Sequence, residues 1–202
     1  MPIKNPELTP WPLKESRSTG DYKIFKVRSD LRTSPRTGKE HEFFVIESVD
    51  WCNIIALTTD DQLVMVEQYR QGSETVELEI PGGMVDEGES PLESGLRELR
   101  EETGIVLPPA RLQLYMAGTI TFINQVYMGF RATVADMSCD PGVESMDCRF
   151  FTREECPWDE VAYPQVNDSI LQAYDDLDSG RFDVWHAEMT EDRYDLRPVS
   201  RT

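Results

Sequence analysis

Between Gly83 and Ile105 the chain reads Gly83-x5-Glu89-x7-Arg97-Glu98-Leu99-x-Glu101-Glu102-x-Gly104-Ile105, a spacing that dictates a loop followed by one helix. Ser90 suits the N-cap, Pro91 the first helical position, and Glu93 closes a Ser-x-x-Glu capping box. Gly104 is the stop, and Leu92, Leu96 and Leu99 mark the stripe that must be buried. At about 3.6 residues per turn, Glu98, Glu101 and Glu102 share one flank, predicted to face a cleft or solvent rather than the core. Like charges at that spacing repel unless a cation sits among them. Hard dications take carboxylate, carbonyl and water oxygens. Pro81-Gly82-Gly83 is expected as a tight turn exposing backbone carbonyls, and Gly95 as a gap through which a loop or ligand approaches.

A Glu-rich helical run is most often a solvated face. The flanking glycines, Glu89 and Gly104 are not explained by such a face, and with them the segment resembles the Nudix hydrolase signature at every defining position. That resemblance implies an α/β class fold, an α/β/α sandwich with a mixed sheet, and hydrolysis of a nucleoside diphosphate linked to another group. It implies magnesium, with manganese as substitute, held by Glu98, Glu102 and Glu101 and by the Gly82 carbonyl. Arg97 would position the carboxylates, with Glu89 as its partner.

Two further stretches, Val66-Glu67-Gln68-Tyr69-Arg70-Gln71-Gly72 and Glu77-Leu78-Glu79-Ile80-Pro81-Gly82-Gly83, resemble the ADP-ribose pyrophosphatase and nucleotide-sugar branch. The resemblance implies that Arg70 meets a phosphate and that Glu79 lies near the metals or the sugar. It implies a general base on a loop after the helix, for which Glu144 is the candidate, with Asp147 behind it and Glu101 as rival. Residues 138–144 would close over substrate. Trp51, or Trp11 from a second subunit, is the candidate for stacking on the base, and Phe122 or Asn124 for a further substrate contact. The chain departs from the ADP-ribose pattern after the signature. Residues 119–125 read Thr-Ile-Thr-Phe-Ile-Asn-Gln where that pattern expects a proline, which opens the site to other nucleoside diphosphate sugars.

The 202 residues suffice for one substantial domain with an extra element. Strand-like alternation over 21–28 and 42–47 predicts an antiparallel β extension within residues 1–48, and the resemblance implies that it builds a homodimer. Residues 49–180 form the catalytic domain. Its strands are expected near 53–58, 63–69, 75–80, 112–120, 125–135 and 146–152, and a last helix over 167–177. Residues 181–202 read as a charged tail. Four cysteines without a Cys-x-x-Cys pair and only two histidines disfavour a zinc site and point to free thiols in a reducing cytoplasm. The N-terminus lacks an apolar run, and no stretch is long enough to span a membrane.

A net charge of −18 opposes binding to long nucleic acids, which needs clustered Lys and Arg. The expectation is therefore a cytoplasmic, magnesium-dependent pyrophosphatase acting on a small molecule, ADP-ribose or a related nucleoside diphosphate sugar, to give a nucleoside monophosphate and a sugar phosphate. The alternatives are a non-catalytic nucleotide-sugar sensor, or a hydrolase of dinucleotides or nucleoside triphosphates.

Overall fold

The runs Ile54-Ile55-Ala56-Leu57 and Leu63-Val64-Met65-Val66 are apolar without alternation, the pattern of strands covered on both faces. The computed structural model bears this out. It describes residues 9–135, 138–163 and 165–199, so the reading of the first six residues lies outside it. The chain divides into two compact units, Met1–Val49 and Asp50–Thr202.

The first unit is an antiparallel meander of β1 (Leu13–Asp21), β2 (Phe25–Thr33) and β3 (Glu40–Ser48), with β2 central. The strand expected over 21–28 is split by a turn at Tyr22–Ile24, where Lys23 takes a left-handed φ of 68°. No glycine or proline announces that turn. Asp30 is fully buried at the centre of the sheet. It accepts hydrogen bonds from Ser16 (2.7 Å), Arg28 (2.5 Å) and Arg32 (2.9 Å). The Ser16 hydroxyl and the Arg32 guanidinium hold its carboxyl below the usual range against the opposing pull of burial. Trp11 packs edge-on against His41 and Phe43 within this unit.

The second unit holds a nine-stranded mixed sheet. Its elements are β4 (Trp51–Thr58), β5 (Leu63–Arg70), β6 (Thr75–Glu79), β7 (Gly82–Met84), α1 (Pro91–Thr103), β8 (Gln113–Ile120), β9 (Gln125–Val134), β10 (Asp147–Phe151), α2 (Gln165–Ser179), β11 (Trp185–Met189) and β12 (Tyr194–Pro198). The strand order is β10-β5-β4-β9-β8-β11-β12, with β6 on β5 and β7 on β4. Parallel pairs β4–β9 and β8–β11 make the sheet mixed. Because side chains alternate along a strand, Ile54, Ala56, Val64 and Val66 pack with Leu99 of α1. Ile55, Leu57, Leu63 and Met65 pack with Ile170, Ala173 and Tyr174 of α2. Helices on opposite faces of one sheet give the expected three layers.

Several local expectations are corrected. Pro81-Gly82-Gly83 is not a free turn, because Gly82–Met84 pairs with Trp51–Asn53 as β7. A Cβ on Gly82 would lie 2.5 Å from the Cys52 carbonyl oxygen, so only glycine lets the two backbones meet. Gly95 is buried, and a Cβ there would crowd Leu112, Phe130 and Ile54. Its gap admits the core, not a ligand. The stretch set apart as a tail folds instead as β11 and β12, whose apolar Ala187 and Leu196 join the α2-side core. Cys139 and Cys148 are not free thiols but disulfide-bonded. The loop after β9 returns as β10 and brings their Cα atoms to 5.9 Å, while Cys52 and Cys156 stay free and buried.

Candidate active site

Helix α1 begins as its residues dictate. Ser90 accepts the Glu93 N–H, Glu93 returns a bond to the Ser90 N–H (2.8 Å), and Gly104 closes the helix at φ 76°. Both ends are fixed, so the azimuth of every side chain between them is fixed as well. The loop of residues 138–146 caps the far end. The N–H groups of Asp140 and Gly142 donate to the carbonyls of Thr103 and Glu101, each at 3.0 Å, filling acceptors that a helix end leaves bare. A Cβ on Gly142 would collide with the Glu101 carbonyl.

Arg97 is the hub of the site. It makes a two-pronged pair with Glu89 (2.9 and 2.9 Å), and also bonds the Met84 carbonyl (2.9 Å), Ser94 (3.2 Å) and Glu98 (2.7 Å). With Glu101 at 3.4 Å as well, its donors are saturated, so it ties helix, loop and β7 together. These contacts raise its pKa further, Glu89 first, so it stays charged.

The three carboxylates differ in surroundings. Glu101 is half exposed, between Arg97 and Arg100. Glu98 is largely buried, and its carboxyl lies so close over Gly83 that a Cβ there would collide with it. Glu102 is only 5% exposed, deeper than the cleft-facing position expected. It points into the gap beside β5 and β7, where the Gly82 N–H donates to it at 2.8 Å and the Gln68 amide also donates. Gln68 in turn contacts Ser145 (3.4 Å), so the 138–146 loop is linked to this carboxylate. Burial pushes Glu102 up to about 7, against the pull of the Gly82 and Gln68 donors; Glu98 and Glu79 add to the rise. Burial also raises Glu98, aided by Glu101 and Glu144.

Among the described residues, no three His, Cys, Asp or Glu side chains converge tightly enough to hold an ion, since each carboxylate is drawn to a local donor. The donor set nevertheless fits a hard dication. Glu98 and Glu102 supply oxygens only, are desolvated, and repel one another, which is the charge imbalance a cation relieves.

On β5 and β6, Arg70 and Glu79 form a two-pronged pair at 2.6 and 2.6 Å, so the guanidinium expected to meet a phosphate is engaged with a carboxylate. Arg70 shares the strand face of Gln68 two residues before it, and both Arg70 and Glu79 lie close enough to act on other charges of the site. Glu144 is exposed on the 138–146 loop, within electrostatic reach of Glu98. Asp147 stands at the start of β10, paired in register with Glu67. Trp51 is half-buried at the start of β4, opposite Met84, whose carbonyl holds Arg97. Phe122 and Asn124 lie in the exposed β8–β9 turn at the same end of the sheet as Trp51, and no hydrogen bond among the described residues joins them to the carboxylates.

Gln68 and Ser145, which link Glu102 to the 138–146 loop, were assigned no role from the residues alone. Only the position of Gln68, two residues before Arg70 on one strand face, could have signalled it.

Residues 50–177 match the NUDIX domain, and the chain belongs to that family. It is 51% identical over 51 residues to the methanol dehydrogenase activator of Bacillus methanolicus, covering 25% of this chain and 28% of that protein. It is 36% identical over 67 residues to the ADP-ribose pyrophosphatase of Bacillus subtilis, covering 33% of this chain and 36% of that protein. The chain thus spans about a third of the length of these curated relatives, or less. A NUDIX hydrolase structure from Nitrosomonas europaea shares the fold at a TM-score of 0.59 and 20% identity, over 80% of this chain and 88% of that one.

Proposed function

We propose that the protein is a magnesium-dependent hydrolase that cuts the diphosphate of ADP-ribose or a related nucleoside diphosphate sugar into a nucleoside monophosphate and a sugar phosphate. One observation carries this reading. Two desolvated carboxylates, Glu98 and Glu102, sit on the same helix flank beside Arg70 and Glu79, with no positive side chain among the described residues bonded to Glu102. The match to the Bacillus subtilis enzyme supports the substrate class.

Glu98, Glu102 and Glu101, with the Gly82 carbonyl, would hold magnesium, or manganese in its place. When bound, the metal would neutralise the charge of the diphosphate and lower the cost of expelling a phosphate. Arg97 holds Glu98 in place throughout. Arg70 exchanges its bond to Glu79 for a substrate phosphate oxygen, which its two-pronged geometry suits equally well. Glu144 takes the proton of the attacking water, with Glu101 as the rival group. Trp51 and Phe122 line the substrate end.

Residues 1–48 serve as the dimerisation element of a cytoplasmic homodimer, a reading supported by the exposed Phe44 and Ile46 on β3. Among the described residues no helix is long and apolar enough to cross a membrane.

The test is a product assay with magnesium over ADP-ribose, other nucleotide sugars, dinucleotides and triphosphates. Preferred release of nucleoside monophosphate from nucleotide sugars is expected; preferred hydrolysis of triphosphates, or no turnover at all, overturns the reading. Light scattering of the full chain against one lacking residues 1–48 tests the dimer, and an unchanged dimer refutes that role.

A further inference from the structure

After β10 the chain runs alongside β6 before entering α2. Val161 makes a parallel bridge to Leu78, and the Ala162 N–H donates to the Leu78 carbonyl at 2.8 Å. On the other side, the Tyr163 carbonyl accepts the Val166 N–H at 2.8 Å in the first turn of α2. Tyr163 thus follows two residues tied to the strand that ends at Glu79, and its own carbonyl is tied to a helix. Between those ties its φ is +58°, a left-handed conformation that a bulky side chain adopts at a cost and glycine adopts freely. Val161, two residues earlier, is buried in the core, whereas Tyr163 is 60% exposed. The Val161–Leu78 bridge sets this segment beside the residue that precedes Glu79, and after burial the charge of Glu79 raises the Tyr163 phenol pKa while Arg70 opposes it. A strained backbone, fastened at both sides, holds a mostly exposed aromatic ring at this position.

We propose that Tyr163 is a specificity residue that stacks on the base of the nucleoside whose phosphate Arg70 receives. The inference rests on the hydrolase reading above and deepens it. An aromatic face beside a phosphate-binding arginine matches a flat base joined through ribose to that phosphate, and stacking accepts any base because each has a π face.

Tyr163→Gly removes the ring and suits the left-handed backbone, and Tyr163→Phe keeps the ring and loses the hydroxyl. With Tyr163→Gly, KM for ADP-ribose is expected to rise roughly tenfold to a hundredfold with kcat little changed, the scale of losing one base-stacking contact. The rise should be several-fold smaller for a ribose diphosphate ester capped with methyl instead of adenosine. Tyr163→Phe should recover the wild-type KM, and the melting temperature of Tyr163→Gly should equal or exceed that of the wild type.

An unchanged KM in Tyr163→Gly, an equal rise for both esters, failure of phenylalanine to recover KM, or a lowered melting temperature each overturns the inference. Calorimetric binding of ADP-ribose to wild type and Tyr163→Gly separates the two readings. Binding by wild type without turnover, weakened in the variant, sinks the hydrolase reading alone. Turnover by wild type with unweakened binding in the variant sinks the role of Tyr163 alone. Neither binding nor turnover by wild type sinks both.

Discussion

Asp30 in the three-stranded sheet and Glu102 on α1 are both buried carboxylates, and the chain treats them in opposite ways. Asp30 is held by a hydroxyl and two guanidinium groups, and its pKa falls. Among the described residues Glu102 receives only a backbone N–H and a neutral amide, and its pKa rises to about 7. Arginine is at hand near α1, since Arg97 lies beside Glu98, yet its donors are spent on Glu89, Met84, Ser94 and Glu98. A buried carboxylate left without a cation is unstable unless it takes a proton or a cation from outside. The first region is closed electrostatically. The second is open to an ion.

The largest test of that contrast is Glu102→Gln, expected to cut kcat by roughly a hundredfold or more, the scale of removing one electrostatic stabiliser. Steady-state kinetics at saturating magnesium checks it, and wild-type turnover would erase the difference between the two carboxylates. Gly83→Ala comes next. The added methyl drives into the Glu98 carboxyl, so kcat should fall about tenfold with the fold intact by circular dichroism.

Stability against pH sharpens the comparison further. In chelator, folded Glu102 keeps its proton up to about pH 7, while the unfolded chain loses it near 4.5. The folded form therefore binds the extra proton between those values. This group's stabilising effect is whole below pH 4.5 and drains away as pH climbs through 7, by roughly 3 kcal/mol at most. Urea unfolding at pH 5 and pH 8 measures it, and magnesium at pH 8 should restore the loss. A flat profile in chelator would mean Glu102 is not isolated from positive charge. Asp30 has the reverse sign, since its depressed pKa makes its contribution present above the unfolded carboxylate pKa and lost in acid. Asp30→Asn should lower the melting temperature modestly and leave kcat alone, the smallest effect of the four.

What could be read from residues alone was mostly what is local. The caps Ser90, Glu93 and Gly104, the stripe Leu92/Leu96/Leu99 and the Arg97–Glu89 partnership all lie within one helix and its leading loop. The depth of Glu102 was hidden because it depends on Gln68, thirty-four positions away. Strands β11 and β12 were hidden because the pairing of β11 with β8, on which β12 then builds, crosses some seventy residues, and a short charged segment shows little alternation. The Cys139–Cys148 bond likewise depends on how the loop after β9 turns back.

The floor beneath Glu98 and Glu102 is bare main chain. A methyl on Gly82 would run into the backbone of Cys52, and one on Gly83 would push the Glu98 carboxyl aside. On the reading proposed above, a change of cargo is easier at Tyr163 and Phe122 than on this floor, where an added side chain meets main chain or displaces a carboxylate.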